Sequence, residues 1–356
     1  MRRATDREIP FNYTSADDRR VLALLLGDDV LAPLERLVFK RRTGRSWRLL
    51  MRFIGDLFIH HRNPFLYQEL VDSRERREQF LDAARNDLAL IAERGRQEPD
   101  LGLVLDRCLA KLDALDNALN GAVQARVRMR RQLGAIVGEP NVCCDPFALA
   151  VHATDATDWR LYLPVAVVCP DREAQVPLLL QAIAALGLKA IPRGGGTGLT
   201  GGAVPVAPDC VIINTEKLNR IGAIGKAIYK QDAGEPLILS TIELAAGVIT
   251  EAAIQTAAAA GLVFATDPTS SWACTIGGNI AENAGGKRAV LWGTAIDNLL
   301  SFRIAVADGR LLEVQRLNPT GRRIDPHETI VFAVSDTATG EVFKQIRIHG
   351  QQLRKP

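Results

Sequence analysis

The sequence predicts a mixed α+β protein in which a mainly α-helical N-terminal region precedes an α+β domain. From residue 17 to about 134, apolar residues recur at helical spacing. From about residue 161, short β-like runs alternate with helical ones. The chain has 356 residues, enough for two or three domains. We place the helical region at 1–150, the α+β domain at 159–315 and the start of a following segment at 316–356.

In the helical region, the apolar spacing and the helix-breaking residues predict several helices. The apolar positions are Leu22, Leu25 and Leu26, then Leu81, Leu88 and Ile91, then Leu105, Leu109, Leu112 and Leu115. The predicted breaks are Gly27-Asp28-Asp29, Thr43-Gly44, Asn63-Pro64, Gly95 and Pro99, and Asp72-Ser73 is a predicted helix cap.

One part of this region, residues 36–52, is strongly basic and has no acidic residue. Its basic side chains are Arg36, Lys40, Arg41, Arg42, Arg45, Arg48 and Arg52. A basic amphipathic helix with interleaved apolar residues such as Trp47 can lie on an anionic membrane surface. A solvated helix face, or a patch that docks on another domain, explains the same residues.

In the α+β domain, strands and helices are predicted from short apolar runs and glycine boundaries. The predicted strands are 165–169, 189–192, 211–214 and 238–245, and the predicted helices are 171–187 and 250–260. A hairpin with a two-residue Asp308-Gly309 turn is predicted between 304–306 and 311–314. Two further β-like stretches, 330–334 and 342–348, follow.

Composition excludes several classes of protein. The net charge of +3 and the aromatic content of 5% argue against a nucleic-acid-binding protein. No apolar run reaches the length of a membrane span, and the N-terminus lacks a signal-peptide pattern, so a cytoplasmic protein is expected. The six cysteines form no CxxC pair, so we expect free buried thiols and no metal site.

The most informative segment is PRGGGTGLTGG at residues 192–202, in which six of eleven residues are glycine. Successive glycine amides can form a concave nest for phosphate oxygens, and Arg193 adds a positive charge. A P-loop is excluded because no Lys-Ser/Thr pair follows. A dinucleotide fingerprint is disfavoured because Pro205 and Pro208 follow where a helix is required. A free-standing phosphate-wrapping loop and a tightly packed turn that binds nothing remain.

A second cluster of glycines and short polar residues follows at 266–287, TDPTSSWACTIGGNIAENAGGK. Its amides and side chains are of the kind that hydrogen-bond the polar middle of a cofactor. Alone it is a weak signal. Together with the first loop, it predicts that one extended dinucleotide is held from two sides.

At these residues the sequence resembles a known family. PRGGGTGLTGG, DPTSSWACTIGGNIAENAGG and WGTAIDNLLSFRIAVADG, in this order, resemble the FAD-binding domain of the vanillyl-alcohol oxidase / p-cresol methylhydroxylase superfamily. Within it, they are similar to the D-lactate dehydrogenase and glycolate oxidase flavin-subunit group over about 159–315. The helical region, with FNYTSADDRRV and WRLLMRFIGDLFIHHRNP, is more loosely similar to an extension on very large bacterial members.

The resemblance implies a fold of two α+β subdomains with FAD extended between them, and it implies a set of contact residues. Residues 193–198 would wrap the pyrophosphate, and Ile304 would lie near the adenine end. The implied cofactor-binding residues are Pro192, Arg193, Gly194, Gly195, Gly196, Thr197, Gly198, Leu199, Thr200, Gly201, Pro268, Thr269, Thr275, Gly277, Gly278, Asn283, Gly285 and Ile304. Some members link a histidine to the flavin. No histidine lies between His152 and His327, and Cys274 is expected to pack in the core, so noncovalent FAD is predicted.

The resemblance also implies parts that we do not find in this sequence. Full-length members continue through a GSEGTLG-like stretch into a substrate domain, and large members carry cysteine motifs for iron–sulfur clusters. We therefore expect a truncated FAD-dependent 2-hydroxy-acid dehydrogenase, with a 2-hydroxy acid as substrate and a downstream chain as partner, and assign no catalytic residue. The alternative is an inactive fragment or a non-enzymatic interaction module that no longer binds FAD.

Overall fold

The structure, a computed structural model, describes residues 19–41, 45–95, 98–230 and 235–353. It divides into two compact units, residues 1–128 and 129–356. No helix among the described residues has the length and apolar character that crossing a membrane requires. The predicted break at Thr43-Gly44 lies outside the described residues, as does the FNYTSADD part (11–18) of the FNYTSADDRRV stretch.

The first unit consists of helices. They are α1 (Arg19–Leu26), α2 (Leu31–Arg41), α3 (Arg45–Arg62), α4 (Pro64–Asp72), α5 (Arg74–Gly95) and α6 (Pro99–Val137), with a 3₁₀ turn at Asp28–Val30. The boundary between the units falls inside α6. The predicted breaks at Gly27-Asp28-Asp29, Asn63-Pro64, Gly95 and Pro99 are confirmed as helix ends.

Side-chain hydrogen bonds fix the predicted start points. Asn63 caps α4 by accepting hydrogen bonds from the Phe65 and Leu66 amides. Ser73 accepts from the Arg76 amide at the start of α5, which confirms the predicted cap. Such caps satisfy amide groups that have no partner within the first helical turn.

The core of the first unit is built from the predicted apolar spacing, with one error. Leu22, Leu88 and Leu112 are buried, as are the other predicted positions apart from Leu109 and the partly buried Leu115. Leu109 is exposed, and Cys108 takes the core position instead. The reason is phase: 105, 108 and 112 share one helix face, and a residue at 109 lies beside it.

The basic segment 36–52 is only partly described at the side-chain level. Arg36 pairs with Asp100, and Arg52 makes a two-pronged contact with Asp87. The side chains of residues 38–47, among them Lys40, Arg41, Arg42, Arg45 and Trp47, lie outside the described residues. Contact between this segment and a membrane surface stays a prediction.

The second unit combines strands with short helices. The strands are β1 (Val142–Cys143), β2 (Ala166–Val168), β3 (Lys189–Arg193), β4 (Cys210–Asn214), β5 (Ile221–Tyr229), β6 (Leu237–Leu244), β7 (Ser301–Ala305), β8 (Leu311–Arg316), β9 (Thr329–Asp336) and β10 (Val342–His349). The helices after α6 are α7 (Pro146–Val151), α8 (Gln175–Ala185), α9 (Thr250–Ala259), α10 (Ile276–Ala281), α11 (Ala289–Trp292) and α12 (Ala295–Asn298).

The strands in the described part of the chain form three sheets. The first has the order β1-β2-β4-β3, with β2, β4 and β3 parallel and β1 antiparallel at the edge. Strand β4 is buried along its whole length, which matches its apolar run of β-branched residues. Strands β5 and β6 form a two-stranded sheet, and β7–β10 form an antiparallel meander.

Several predicted elements differ in extent from the observed ones. Helix α8 starts at Gln175 rather than at 171, because the Gln175 side chain accepts hydrogen bonds from the Asp171 and Arg172 amides before the helix begins. The predicted hairpin at 304–314 is formed by β7 and β8. Its two-residue turn was wrong: Val306 donates to the Arg310 carbonyl, which leaves three residues in the loop. Strand β5 was missed.

Residues after 316 complete the same sheet rather than beginning a separate body. Strand β9 pairs with β8, and β10 pairs with β9. Arg316 at the end of β8 is buried, and its guanidinium donates to the Asp297 carbonyl. The segment that the sequence assigned to 316–356 therefore shares a sheet and a core with the end of the predicted FAD domain.

Candidate functional site

A cavity of the second unit lies beside the carboxyl ends of β3 and β4. It has a volume of about 700 Å³, and its walls include Arg193, Gly194, Gly195, Asn214 and Thr275. Cavities of this size commonly hold small molecules. In sheets with parallel strands, ligands bind outside the carboxyl ends of the strands, and both Arg193 and Asn214 are the last residues of their strands.

The first glycine loop leaves its backbone donors unused. None of the ten N–H groups of residues 194–203 donates a hydrogen bond to any residue that the structure describes. Backbone amides are obligatory donors, so ten consecutive amides without a protein acceptor require water or a ligand. Successive free amides in a tight loop form a site for an anion.

Gly196 allows Arg193 to fold back over the loop. Its φ is 65°, and a Cβ there would stand 2.3 Å from the Arg193 guanidinium. The guanidinium donates to the Thr154 carbonyl at 2.6 Å. Burial lowers the pKa of Arg193, and Asp155 opposes this effect. Arginine remains protonated at neutral pH, so the cavity wall carries a positive charge.

The second glycine cluster, residues 266–287, uses most of its central backbone donors within the protein. The amides of Ile276, Gly277 and Asn279 donate to the carbonyls of Val248, Ala246 and Thr275. Its glycines permit close approach of other chain segments. A Cβ on Gly286 would stand 1.8 Å from the Asp267 carbonyl oxygen, and one on Gly277 would stand 2.9 Å from Ala246.

The two glycine clusters touch each other. A Cβ on Gly194 would meet the Thr275 hydroxyl at 2.2 Å, and one on Gly195 would meet the Ala273 carbonyl oxygen at 2.1 Å. Farther along the first loop, the Thr200 hydroxyl donates to Glu282. The prediction that both clusters border one site is therefore supported by direct contact at the cavity wall, although cofactor contact by individual residues stays a prediction.

The buried hydroxyl of Thr250 forms hydrogen bonds with residues of the second cluster. The Thr250 hydroxyl donates to the Cys274 carbonyl at 3.1 Å and accepts from the side-chain amide (Nδ2) of Asn279 at 2.7 Å. The Cys274 sulfur lies 3.1 Å from the same hydroxyl. All three residues are buried. Cys274 thus packs in the interior, in accordance with its predicted role.

The predicted contact residues divide into two sets. Arg193, Gly194, Gly195 and Thr275 line the cavity. The others lie outside its lining: Pro192, Gly196, Thr197, Gly198, Leu199, Thr200, Gly201, Pro268, Thr269, Gly277, Gly278, Asn283, Gly285 and Ile304. Asn283 has a backbone role, because its φ is 48° and its side chain accepts from the Ile296 amide. Ile304 lies in β7, within the meander.

Sequence reasoning missed polar residues at the cavity wall, chiefly His152, Asn214 and Glu216. Asn214 donates to His152 Nε2 and accepts from the Glu216 amide. Burial lowers the pKa of His152, as does the charge of Arg193. One signal was available for Asn214, a polar residue directly after an apolar strand run. Nothing in the sequence alone places His152 beside it.

Two segments of the chain match known protein families. Residues 164–315 match the family described as FAD binding domain, and residues 4–117 match one described as protein of unknown function (DUF3683). The match to the FAD binding domain covers less than half of the chain. The first glycine loop and the second cluster both lie inside this domain.

Similar proteins include glycolate oxidase subunits and a D-lactate dehydrogenase. The chain is 33% identical over 151 residues to the glycolate oxidase subunit GlcD of Escherichia coli, covering 42% of this chain and 28% of that one. It is 29% identical over 184 residues to GlcD of Bacillus subtilis (52% and 37%). It is 34% identical over 148 residues to the D-lactate dehydrogenase of Archaeoglobus fulgidus (42% and 30%). The chain thus spans about a third of the length of these relatives.

Similar solved structures include p-cresol methylhydroxylase with substrate bound and alkyldihydroxyacetonephosphate synthase. The former has 16% identity and a TM-score of 0.43 and covers 54% of this chain and 35% of that chain. The latter has 20% identity and a TM-score of 0.42 and covers 49% and 32%.

The residues present fit FAD. Its pyrophosphate is an anion, and the free amides of residues 194–203 together with Arg193 supply donors and positive charge for one. The cavity also has apolar wall residues, Val248, Ile249 and Ala252, which suit the uncharged parts of such a ligand.

Proposed function

We propose that the second unit binds FAD noncovalently and serves as the flavin-binding part of an oxidoreductase that acts on 2-hydroxy acids. The observation that carries the proposal is the run of ten free amides at residues 194–203, beside a cavity that holds Arg193. In a tightly packed turn these amides would be bonded within the protein, whereas here they are open to an acceptor from outside it.

In this proposal, the first glycine loop, Arg193 and the second cluster have different roles in FAD binding. The amides of residues 194–203 donate to the pyrophosphate oxygens, and Arg193 balances part of their charge. Thr275 and its neighbours border the cavity from the other side. FAD, when bound, supplies a hydride acceptor. The second cluster keeps the first loop in place by packing against Gly194 and Gly195.

The substrate class rests on the relatives. Glycolate oxidase and D-lactate dehydrogenase are named for 2-hydroxy acids, and the matched segment is the flavin domain alone. We propose that residues for substrate binding and proton removal come from a further segment or partner chain, because the histidine at the described cavity, His152, has both ring nitrogens hydrogen-bonded within the protein. We assign no catalytic residue.

We propose noncovalent attachment because the two side chains considered for a covalent bond to the flavin, Cys274 and His152, are both engaged within the protein. Cys274 is buried, with its sulfur beside the Thr250 hydroxyl. Both ring nitrogens of His152 are engaged, one with the Ala148 carbonyl and one with Asn214. Acid precipitation should therefore leave the flavin in the supernatant. Yellow colour that stays in the washed pellet would contradict noncovalent binding.

The first experiment is an absorbance scan of the full purified chain, taken before and after addition of FAD and desalting. We expect retained flavin bands. The combined variant Arg193→Ala/Gly196→Val should lose them. Its control is Gly187→Val, since Gly187 has a similar φ of 71° and lies outside the cavity lining. A colourless wild-type protein that stays colourless with FAD would overturn the proposal and favour a non-enzymatic module.

A further inference from the structure

A short stretch between the two family matches contributes to the cavity. We define the connector as residues 139–163, which lie after residue 117 and before residue 164. It contains β1, at the edge of the first sheet, and α7. Its residues Val151 and His152 line the cavity. The site is therefore wider than the family match.

His152 makes one hydrogen bond to the end of β4 and one within the connector. Its Nδ1 lies 2.8 Å from the Ala148 carbonyl, and its Nε2 lies 2.9 Å from the Asn214 Nδ2. A carbonyl only accepts, so Nδ1 carries the proton. The Asn214 Nδ2 only donates, so Nε2 is the acceptor and the ring is neutral. The Glu216 amide fixes this orientation, because it donates to the Asn214 Oδ1 at 2.9 Å.

The connector also holds Arg193 at the end of β3. The Thr154 carbonyl accepts from the Arg193 guanidinium at 2.6 Å. Strands β3 and β4 are neighbours in the sheet, and Arg193 and Asn214 are partners in register. One segment, 152–154, thus fixes two adjacent strand ends, one of which carries the positive charge of the cavity wall.

We propose that His152 is a positioning residue of the flavin site: as a neutral imidazole it holds Asn214 and, with the Thr154 carbonyl, keeps Arg193 at the cavity wall. This rests on the proposed function. The role requires the bare Nε2, because a protonated ring would point an N–H at the Asn214 donor. Turning the Asn214 amide to compensate would break its bond with the Glu216 amide.

The proposal has a pH dependence with a definite sign. Burial lowers the pKa of His152; the Ala148 carbonyl raises it, Arg193 lowers it and Glu216 raises it. A group with a lowered folded-state pKa contributes above its ordinary pKa of about 6.5 and loses its contribution as the pH falls through the folded value. FAD affinity should therefore be constant above the ordinary histidine pKa of about 6.5 and weaken as the pH falls below it. Arg193 and the pyrophosphate keep their charge throughout this range.

The test is a titration of the full chain with FAD, followed by flavin fluorescence, at a series of pH values between about 5 and 8, a range that brackets the ordinary pKa of histidine. Wild-type affinity should fall about tenfold across this range, the equivalent of one hydrogen bond. His152→Gln keeps an acceptor for Asn214 but does not titrate, so its affinity should stay near the wild-type value at pH 7.5 and lose the fall at low pH. His152→Ala should bind about tenfold more weakly than wild type at pH 7.5 and show no further fall at low pH.

The control is His327→Gln, at an exposed histidine outside the cavity lining, which should keep the wild-type profile. Thermal unfolding of the cofactor-free variants checks that each is folded. If wild type binds FAD while His152→Gln retains the fall, or if affinity rises on acidification, the inference is overturned and the proposed function stands. If wild type binds no FAD at any pH, both fail.

Discussion

The two glycine clusters have similar compositions but different physical roles. In residues 194–203 the backbone amides have no acceptor among the described residues, whereas in 276–284 most amides donate to other backbone groups. Glycine in the second cluster removes side chains where backbones meet, as Gly286 does against Asp267. In the first loop, Gly194 and Gly195 also allow close approach to the second cluster, but the backbone donors of the loop stay accessible. A high density of glycine therefore shows where backbone segments can approach closely. The hydrogen bonds show which cluster has backbone N–H groups available for a ligand.

The largest effect should follow from a side chain at Gly286. A Cβ there would overlap the Asp267 carbonyl oxygen, so Gly286→Ala should lower the free energy of unfolding of the cofactor-free protein by about 3 kcal/mol. The control is Gly198→Ala in the first loop, where a Cβ would meet nothing within 4 Å. Urea unfolding measures both. Equal stability of the two variants would remove the distinction between the clusters.

A side chain at Gly196 should affect binding more than folding. Gly196→Ala would displace the Arg193 guanidinium and change the loop conformation, so FAD should bind about 100-fold more weakly, equivalent to about 2.7 kcal/mol. The strain of a positive φ should cost about 1 kcal/mol of stability. Gly187→Ala carries the same strain away from the cavity and should bind FAD normally. Unchanged affinity in Gly196→Ala would contradict an anion-binding first loop.

Removal of the positive charge should have a smaller effect. Arg193→Ala deletes one charged donor beside the free amides, so FAD affinity should fall about tenfold to thirtyfold. The remaining affinity should depend less on salt. The control is Arg220→Ala, which removes an exposed arginine that pairs with Glu243. Fluorescence titrations at low and high salt measure both effects. An unchanged salt dependence in Arg193→Ala would show that Arg193 does not face the ligand's charge.

The smallest effect is expected from a change at Thr250, which forms hydrogen bonds with residues of the second cluster. Thr250→Val removes the acceptor of the buried Asn279 side-chain amide (Nδ2), which should lower the free energy of unfolding by about 1–2 kcal/mol. FAD affinity should change little, because Thr250 does not line the cavity. A matched change is Thr256→Val, since Thr256 bonds only to a carbonyl of its own helix. If Thr250→Val weakened FAD binding more than folding, the second cluster would be a binding element as well.

Much of the fold could be predicted from local patterns. The runs that form β2, β3 and β4 are short, apolar and bounded by turns, and strands were predicted at each. Strand β5 was missed because its sequence, IGAIGKAIY, mixes glycine with alternating residues and obtains its structure by pairing with β6. Leu109 was misassigned because leucine is the stronger apolar signal, although helix phase selects Cys108.

The candidate site was predictable only in part. The glycine density of residues 192–202 indicated the first loop, and four predicted residues line the cavity. The contribution of His152 was not predictable, because its partner Asn214 lies 62 residues later in the sequence and only the tertiary fold brings the two together. Whether a glycine amide is free or bonded depends on distant partners such as Ala246, and no local pattern encodes them.

The most direct test of the difference between the clusters is hydrogen–deuterium exchange of the backbone amides, read by mass spectrometry with and without FAD. Without FAD, peptides covering 194–203 should exchange rapidly and those covering 276–284 slowly, because only the latter amides are hydrogen-bonded. With FAD, 194–203 should become protected. Slow exchange in 194–203 without ligand, or no added protection there in flavin-loaded protein, would contradict the assignment of the first loop as the phosphate-binding element.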